Sequence, residues 1–352
     1  MAKEIPIENI YHLLCYAWNY LPEAGEIDVV AKDAHSVDEL LARVLTNGTQ
    51  HLLRQGLDRD YILHSEETSR LRGKFDLTAS FSKQTMQQGR LVCEFDDLSH
   101  DILHNQIVKT TLGILTKNPH LEKDTKSLLH LQLKTLQHIT PIRITSRLFR
   151  RVRLHRNNRQ YRLLLNICEL IHESLLPTKH AGHTRFRDFI QDENTMPRLF
   201  EAFIRNFYDK HSHFTVSAAH LHWNVEGGLQ STSLVPRMET DVSLYTPERQ
   251  IILDCKFYKE AFKSNYGKAK FNRDHLFQLF AYLENAGHSK GWNQLEGILL
   301  YPAVAQNFHH QLKLNHHNIT LCSIDLNSSW QHVETQLLDI IQESRYSSIS
   351  TH

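Results

Sequence analysis

Two carboxylates and a lysine, Asp241, Asp254 and Lys256, fall in the run METDVSLYTPERQIILDCKFY at 238–258. This run reads as two β-strands joined by a tight turn at Thr246-Pro247-Glu248-Arg249, with proline where a type I turn accepts its fixed φ. If Tyr245 faces Gln250 across the turn, Asp241 faces Asp254. Strand alternation then places Glu239, Asp241, Asp254 and Lys256 on one face, and Val242, Leu244, Ile251, Leu253, Cys255 and Phe257 on the other. Directly opposed β-carbons lie roughly 5 Å apart, so the two carboxylates repel unless a cation sits between them. Magnesium, with manganese as a substitute, suits such a pair: it takes oxygen ligands at about 2.0–2.1 Å and is commonly held by one or two carboxylates plus substrate phosphate. The chemistry would be phosphodiester hydrolysis by metal-activated water. Lys256 would orient that water and offset charge on the pentacovalent phosphate. A solvated hairpin face with charges of both signs stands as the alternative, because a bare D-x-K is a short signal.

The elements around the hairpin must position these groups. The apolar spacing of MPRLFEAFIRNFYDK (196–210) predicts an amphipathic helix with Glu201 at its polar edge. A second helix is expected over 274–285, with Gln278 and Tyr282 one turn apart. Strand-like runs follow at 295–301 and 319–326, then a closing helix over 330–343. The order helix, hairpin, helix, strands, helix resembles the restriction-endonuclease-like core, whose signature is PD-(D/E)-x-K, at Asp241, Asp254, Cys255 and Lys256. Gln278 and Tyr282 resemble the Q-x-x-x-Y helix motif of several branches of that superfamily. The position before Asp241 holds Thr240 rather than proline, and Pro236 is expected to start the strand.

Further runs narrow the resemblance: IPIENIYHLLCYAWNYL (5–21), Arg72-Gly73-Lys74-Phe75, CEFDDLSHDILHNQIVKTTL (93–112), GHTRFRDF (182–189) and GILLYP (297–302) are similar to the McrC family, the nuclease subunits of the McrBC modified-cytosine restriction systems. The likeness spans nearly the whole chain. It implies a catalytic set of Asp241, Asp254 and Lys256 with Gln278, Tyr282 and Glu201 in support. It also implies docking of the amino-terminal half on a hexameric McrB-like AAA+ GTPase, and double-stranded DNA containing modified cytosine as substrate. The sequence agrees that the chain binds no nucleotide of its own, since no G-x-x-x-x-G-K-[ST] loop occurs.

The chain of 352 residues is long enough for two cores, and a mixed α/β fold is expected. The division expected is an amino-terminal mixed α/β interaction domain over 1–165 and a nuclease domain with an α-β-β-α-β core over 166–352. Helices are expected at 7–20, 36–55, 101–115 and 121–136, and strands at 61–64, 73–81 and 91–95, with Asp101 capping the helix that follows it. No run approaches 18 apolar residues and the start shows no signal-peptide stretch, so a cytoplasmic protein without a membrane span is expected. The five cysteines are widely spaced in apolar runs and read as reduced core residues. His309, His316 and His317 read as surface polars rather than zinc ligands.

The formal net charge of +1 hides local clusters. Eight arginines and no acid lie between Arg143 and Arg162, a block that suits phosphates, an acidic partner or an interdomain connector. Lys259, Lys263, Lys268, Lys270 and Arg273 follow the active-site strand and are the better candidates for holding a DNA backbone near the metal. Two other readings stay open: a non-enzymatic adaptor that activates an AAA+ GTPase, and a stand-alone nuclease that needs no nucleotide.

Overall fold

The computed structural model describes residues 5–19, 34–174, 192, 194–224, 235–257, 262–265, 268–292, 295–303 and 307–343; the side chains of 262–271, 288 and 289 lie outside that description. The chain forms two compact units, Met1–His35 with Arg187–His352, and Ser36–Phe186. The expected single cut at 165/166 differs from this in two ways. It falls inside a helix, Tyr161–Ser174, of the second unit, and it separates the first helix from the unit in which that helix packs.

Helix α1 (Ile7–Ala17) belongs to the unit that carries the candidate site. In the other unit, α2 (Val37–Gln55) starts where the Ser36 hydroxyl accepts from the Glu39 N–H, an N-cap that supplies one of the partners a helix start lacks. Strands β1 (Asp60–Thr68) and β2 (Lys74–Asp76) flank β3 (Leu91–Ser99) in an antiparallel sheet, and α3 (Leu77–Ser82) follows β2. Helices α4 (Leu103–Leu115), α5 (Lys123–Thr135) and α6 (Tyr161–Ser174) bury Ile107, Leu112, Leu129 and Ile167 with Leu40, Leu41, Leu45 and Leu52 of α2. A Cβ at Gly48 would fall 2.3 Å from Leu164 Cδ2, so α2 and α6 approach closely only because residue 48 has no side chain.

Two expectations fail here. The run 73–81 is not one strand: the Asp76 carboxylate accepts from the Ala79 N–H and turns the chain into α3. Asp101 does not cap α4, whose N-cap is Ile102; its carboxylate instead accepts from the Thr140 N–H and hydroxyl and from the Gln106 amide.

The other unit is built on a six-stranded sheet. Its strands are β4 (Thr215–Ser217), β7 (Val242–Thr246), β8 (Arg249–Cys255), β11 (Leu295–Pro302), β12 (His309–Leu314) and β13 (His317–Ile324), in the order β12-β13-β11-β8-β7-β4. β8, β11 and β13 run parallel, and the flanking pairs are antiparallel. Short ladders pair β5 (His220–Leu221) with β6 (Met238–Glu239), and β9 (Phe262–Asn265) with β10 (Lys268–Phe271).

Helices cover both faces, which is why the central strands read as unbroken apolar runs such as Ile251-Ile252-Leu253. α7 (Thr195–His211) buries Phe200, Phe203, Ile204 and Phe207, and α1 and α9 (Trp330–Glu343) pack with it. The Asn206 amide donates to Tyr16 and Ala17 carbonyls of α1, and the Tyr208 hydroxyl donates to the Leu337 carbonyl of α9. On the other face, α8 (Arg273–Lys290) packs Leu279, Tyr282 and Leu283 on Ile252, Leu299 and Leu321. Gly297 admits α8: a Cβ there would meet Leu283 Cδ1 at 2.8 Å and Leu279 Cδ2 at 3.0 Å. No helix among the described residues is long and apolar enough to cross a membrane.

Candidate active site

The turn sets the register of the hairpin. Tyr245 pairs with Gln250 and the ladder runs to Val242 opposite Leu253, so Asp241 stands one step beyond the last pair, within reach of the Asp254 charge. The strand does not continue back to Glu239. The chain bends at Thr240 and Asp241, and Glu239 pairs with His220 in the separate short ladder. Thr240 fixes the bend: its N–H donates to the Ala219 carbonyl, and its hydroxyl accepts from the Ala219 N–H at 2.9 Å. Asp241 is held on both sides, its carboxylate accepting from the Cys255 N–H at 2.7 Å and its carbonyl from Arg205 Nε at 2.9 Å. Arg205, which sits one turn after Glu201 on α7, carries no signal in residue spacing alone.

Asp254 is fully buried, and the Lys256 side chain is 11% exposed, so this face is not a solvated one. Lys256 Nζ donates to Asp254 Oδ1 at 2.9 Å and to Gln278 Oε1 at 2.9 Å, and Gln278 Nε2 donates to the Tyr282 hydroxyl at 2.8 Å. One turn of α8 thus carries a relay that ends on the ammonium. The same helix places buried His275 with its Nδ1 2.9 Å from the Tyr301 hydroxyl, a second contact that ties α8 to β11.

Charge in the site is unbalanced. Burial raises the Asp254 carboxyl well above the ordinary carboxylate range; the Asp241 charge adds to this and Lys256 opposes it. Burial also raises Asp241, against the Cys255 hydrogen bond and the Lys256 and Arg205 charges. Glu201 is pushed up to about 7, by burial first and then by the Asp241 charge. For Lys256, burial works against the ammonium, but the charge and hydrogen bond of Asp254 together with Asp241 outweigh it and the net shift is upward. Three carboxylates therefore crowd the Lys256 ammonium in a low-dielectric setting, with the Arg205 guanidinium acting on Asp241 and Glu201.

These residues fit a hard divalent cation. Lys256 Nζ lies 2.9 Å from Oδ1 and 2.8 Å from Oδ2 of Asp254, so one ammonium faces both oxygens of a fully buried carboxylate. Lys256 and Arg205 still leave Asp254, Asp241 and Glu201 all shifted upward, and a cation held by Asp254 and Asp241 would supply the missing positive charge.

The expected phosphate-binding residues are only partly described. Lys259 lies outside the described residues, as do the side chains of Lys263, Lys268 and Lys270, whose backbones form the β9–β10 ribbon. Arg273 is exposed at the start of α8, 3.7 Å from the Asp274 carboxylate. All eight arginines from Arg143 to Arg162 are exposed in the other unit.

Residues 7–302 match the family described as "McrBC 5-methylcytosine restriction system component". The chain belongs to that family. It is 32% identical over 341 residues, 96% of this chain and 98% of that protein, to the "Type IV methyl-directed restriction enzyme EcoKMcrBC" of Escherichia coli strain K12. Its fold is similar to a chain in the half-complex of a tetradecameric assembly of Thermococcus gammatolerans McrB AAA+ hexamers with bound McrC, with a TM-score of 0.58 and 15% identity over 96% of this chain and 76% of that one. Within this McrBC family member, the bend at Thr240 and the lysine relay are the features that fix the geometry of the candidate site.

Proposed function

We propose that this chain is the DNA-cutting subunit of a GTP-driven restriction complex directed at modified cytosine. In this reading Asp241 and Asp254 hold Mg2+, with Mn2+ as a substitute, and the scissile phosphodiester lies against them and Lys256. The observation that carries it is the fully buried Asp254 carboxylate beside Asp241, both shifted upward although an ammonium lies 2.8 Å from Asp254 Oδ2. When bound, the cation polarises the phosphate and lowers the pKa of the attacking water.

The chain's own residues do the rest. Lys256 orients that water and offsets charge on the phosphate as it becomes pentacovalent. Gln278 and Tyr282 hold the ammonium in place, and Arg205 holds the Asp241 backbone. Glu201, poised near pH 7, takes or releases a proton at the edge of the site. Lys259, Lys263, Lys268, Lys270 and Arg273 follow the catalytic strand in sequence and suit the DNA backbone.

The E. coli relative is named as a methyl-directed restriction enzyme, and the Thermococcus McrC is bound to McrB AAA+ hexamers. By that likeness this chain docks on an AAA+ GTPase hexamer and stimulates it, and the substrate is double-stranded DNA with modified cytosine. The test is plasmid cleavage by the chain combined with a McrB-family GTPase, Mg2+ and GTP. Methylated plasmid should be cut by wild type and not by Asp254→Asn or Lys256→Ala. Cutting retained by either variant overturns the catalytic assignment. GTPase stimulation with no cutting by wild type favours an adaptor, and cutting without any nucleotide favours a stand-alone nuclease.

A further inference from the structure

A second cluster lies away from the aspartates. Glu284, on α8, and His316 and His317, at the β12–β13 turn, bring their ligand atoms within 4.8 Å of one another. His317 Nε2 lies 3.2 Å and His316 Nε2 3.9 Å from the same Glu284 oxygen, Oε1. Two atoms bound to one zinc ion at about 2.0–2.1 Å in tetrahedral geometry lie roughly 3.3 Å apart, so the histidine pair and the carboxylate are already spaced as ligands of one ion.

The positions are fixed by the fold. Asn315 takes a left-handed φ of 53° in a two-residue turn that pairs Leu314 with His317. Neighbouring residues of a strand point to opposite faces, but His316 is in the turn, and its ring centroid lies 4.0 Å from that of His317. His317 is 6% exposed and packs edge-on against Phe280, one turn before Glu284 on α8. A plain His317–Glu284 hydrogen bond would need only one of the two histidines. Their convergence on one carboxylate oxygen is what a metal would use.

We infer that Glu284, His316 and His317 form a second metal site, which takes a zinc-class transition ion and staples helix α8 to the β12–β13 hairpin. Two imidazoles and a carboxylate favour Zn2+, Co2+ or Ni2+ over Mg2+, which prefers oxygen ligands. His316 is 71% exposed, so water can complete the coordination. The site sits on the helix that carries Gln278 and Tyr282, yet the inference does not rest on the nuclease reading.

The experiment is titration of chelator-stripped full-length protein with Zn2+ by calorimetry, and with Co2+ by visible absorption, in millimolar Mg2+ to fill oxygen-rich sites. Wild type should bind one equivalent tightly, give the d–d bands of a four-coordinate ion, and melt at a higher temperature with Zn2+. His316→Ala and Glu284→Gln, both at exposed positions, should each weaken that site by about tenfold or more and lose the thermal gain. His222→Ala, an exposed histidine elsewhere, should bind as wild type does. Equal affinity and stoichiometry in wild type and His316→Ala, or no site in wild type tighter than those remaining in His316→Ala, overturns the inference.

Discussion

The Asp241 carboxylate accepts a 2.7 Å hydrogen bond from the Cys255 N–H, which locks the acid of one strand to the backbone just after the acid of the next. A one-residue slip of the hairpin would turn Asp254 to the opposite face and break this bond. Asp241→Asn keeps an oxygen that can accept from Cys255 but loses the charge. It should melt within a few degrees of wild type and raise the Mg2+ concentration needed for cleavage by about tenfold or more. Asp241→Ala should lose both, with lower stability as well as activity. Magnesium titrations of cleavage alongside thermal melts separate the two variants, and an unchanged Mg2+ requirement in Asp241→Asn would count against Asp241 as a ligand.

The lysine relay predicts a graded response on α8. Gln278→Leu removes the acceptor that shares Lys256 with Asp254, and kcat should fall by about tenfold with little change in KM. Tyr282→Phe removes only the oxygen that accepts from Gln278, so its effect should be smaller. Single-turnover cleavage rates check the order. A larger loss in Tyr282→Phe than in Gln278→Leu would show that the relay does not run through the amide.

Without a divalent cation, stability should depend on pH through the crowded carboxylates. Glu201 is raised from 4.5 to about 7, so the native state holds its proton more tightly than the unfolded chain. Its contribution is fully present below about 4.5 and lost as pH rises through about 7. Asp254 is raised too and acts in the same direction. Melting temperature in chelator should fall across that window, less so in Glu201→Gln, and Mg2+ should restore it above pH 7. Identical pH profiles for wild type and Glu201→Gln would rule out this origin.

Gly297 offers a test remote from the chemistry. Gly297→Val places methyls where Leu279 and Leu283 lie, and should cost about 1–3 kcal/mol while shifting the helix that carries Gln278 and Tyr282. Denaturant melts measure the first effect, and cleavage at a temperature where the variant is folded measures the second. Normal cleavage by the folded variant would mean that the height of α8 over the sheet is not critical.

Much of the site-bearing unit was legible because its signals are local. The two-residue turn at Pro247-Glu248 fixes which residues pair, and apolar periodicity marks α7 and α9 close to their observed ends and the start of α8, which runs on to Lys290 beyond the expected 285. What was missed depends on contacts distant in sequence. β12, His309–Leu314, is an edge strand with almost all its residues exposed, so it leaves no alternating pattern to find. Thr240 looked like a departure from a proline position, yet its hydroxyl holds Ala219, and Thr240→Val should cost about 1–3 kcal/mol. The bend there, which puts Glu239 in another ladder, has no glycine or proline to announce it. Glu284 meets His316 and His317 only because α8 lies across the sheet, a proximity that spacing along the chain does not carry.

Packing of α1 among α7 and α9 bears on how the protein is made. The segment 36–186 is continuous, so it can fold while synthesis is still under way. The helix at 7–17 precedes that segment, but partners of Tyr16 come after it: the Asn206 amide donates to its carbonyl, and its hydroxyl donates to Glu334. Its apolar side therefore stays uncovered until α7 and α9 have been made, and a chain stopped before α9 lacks part of the layer that packs on α7.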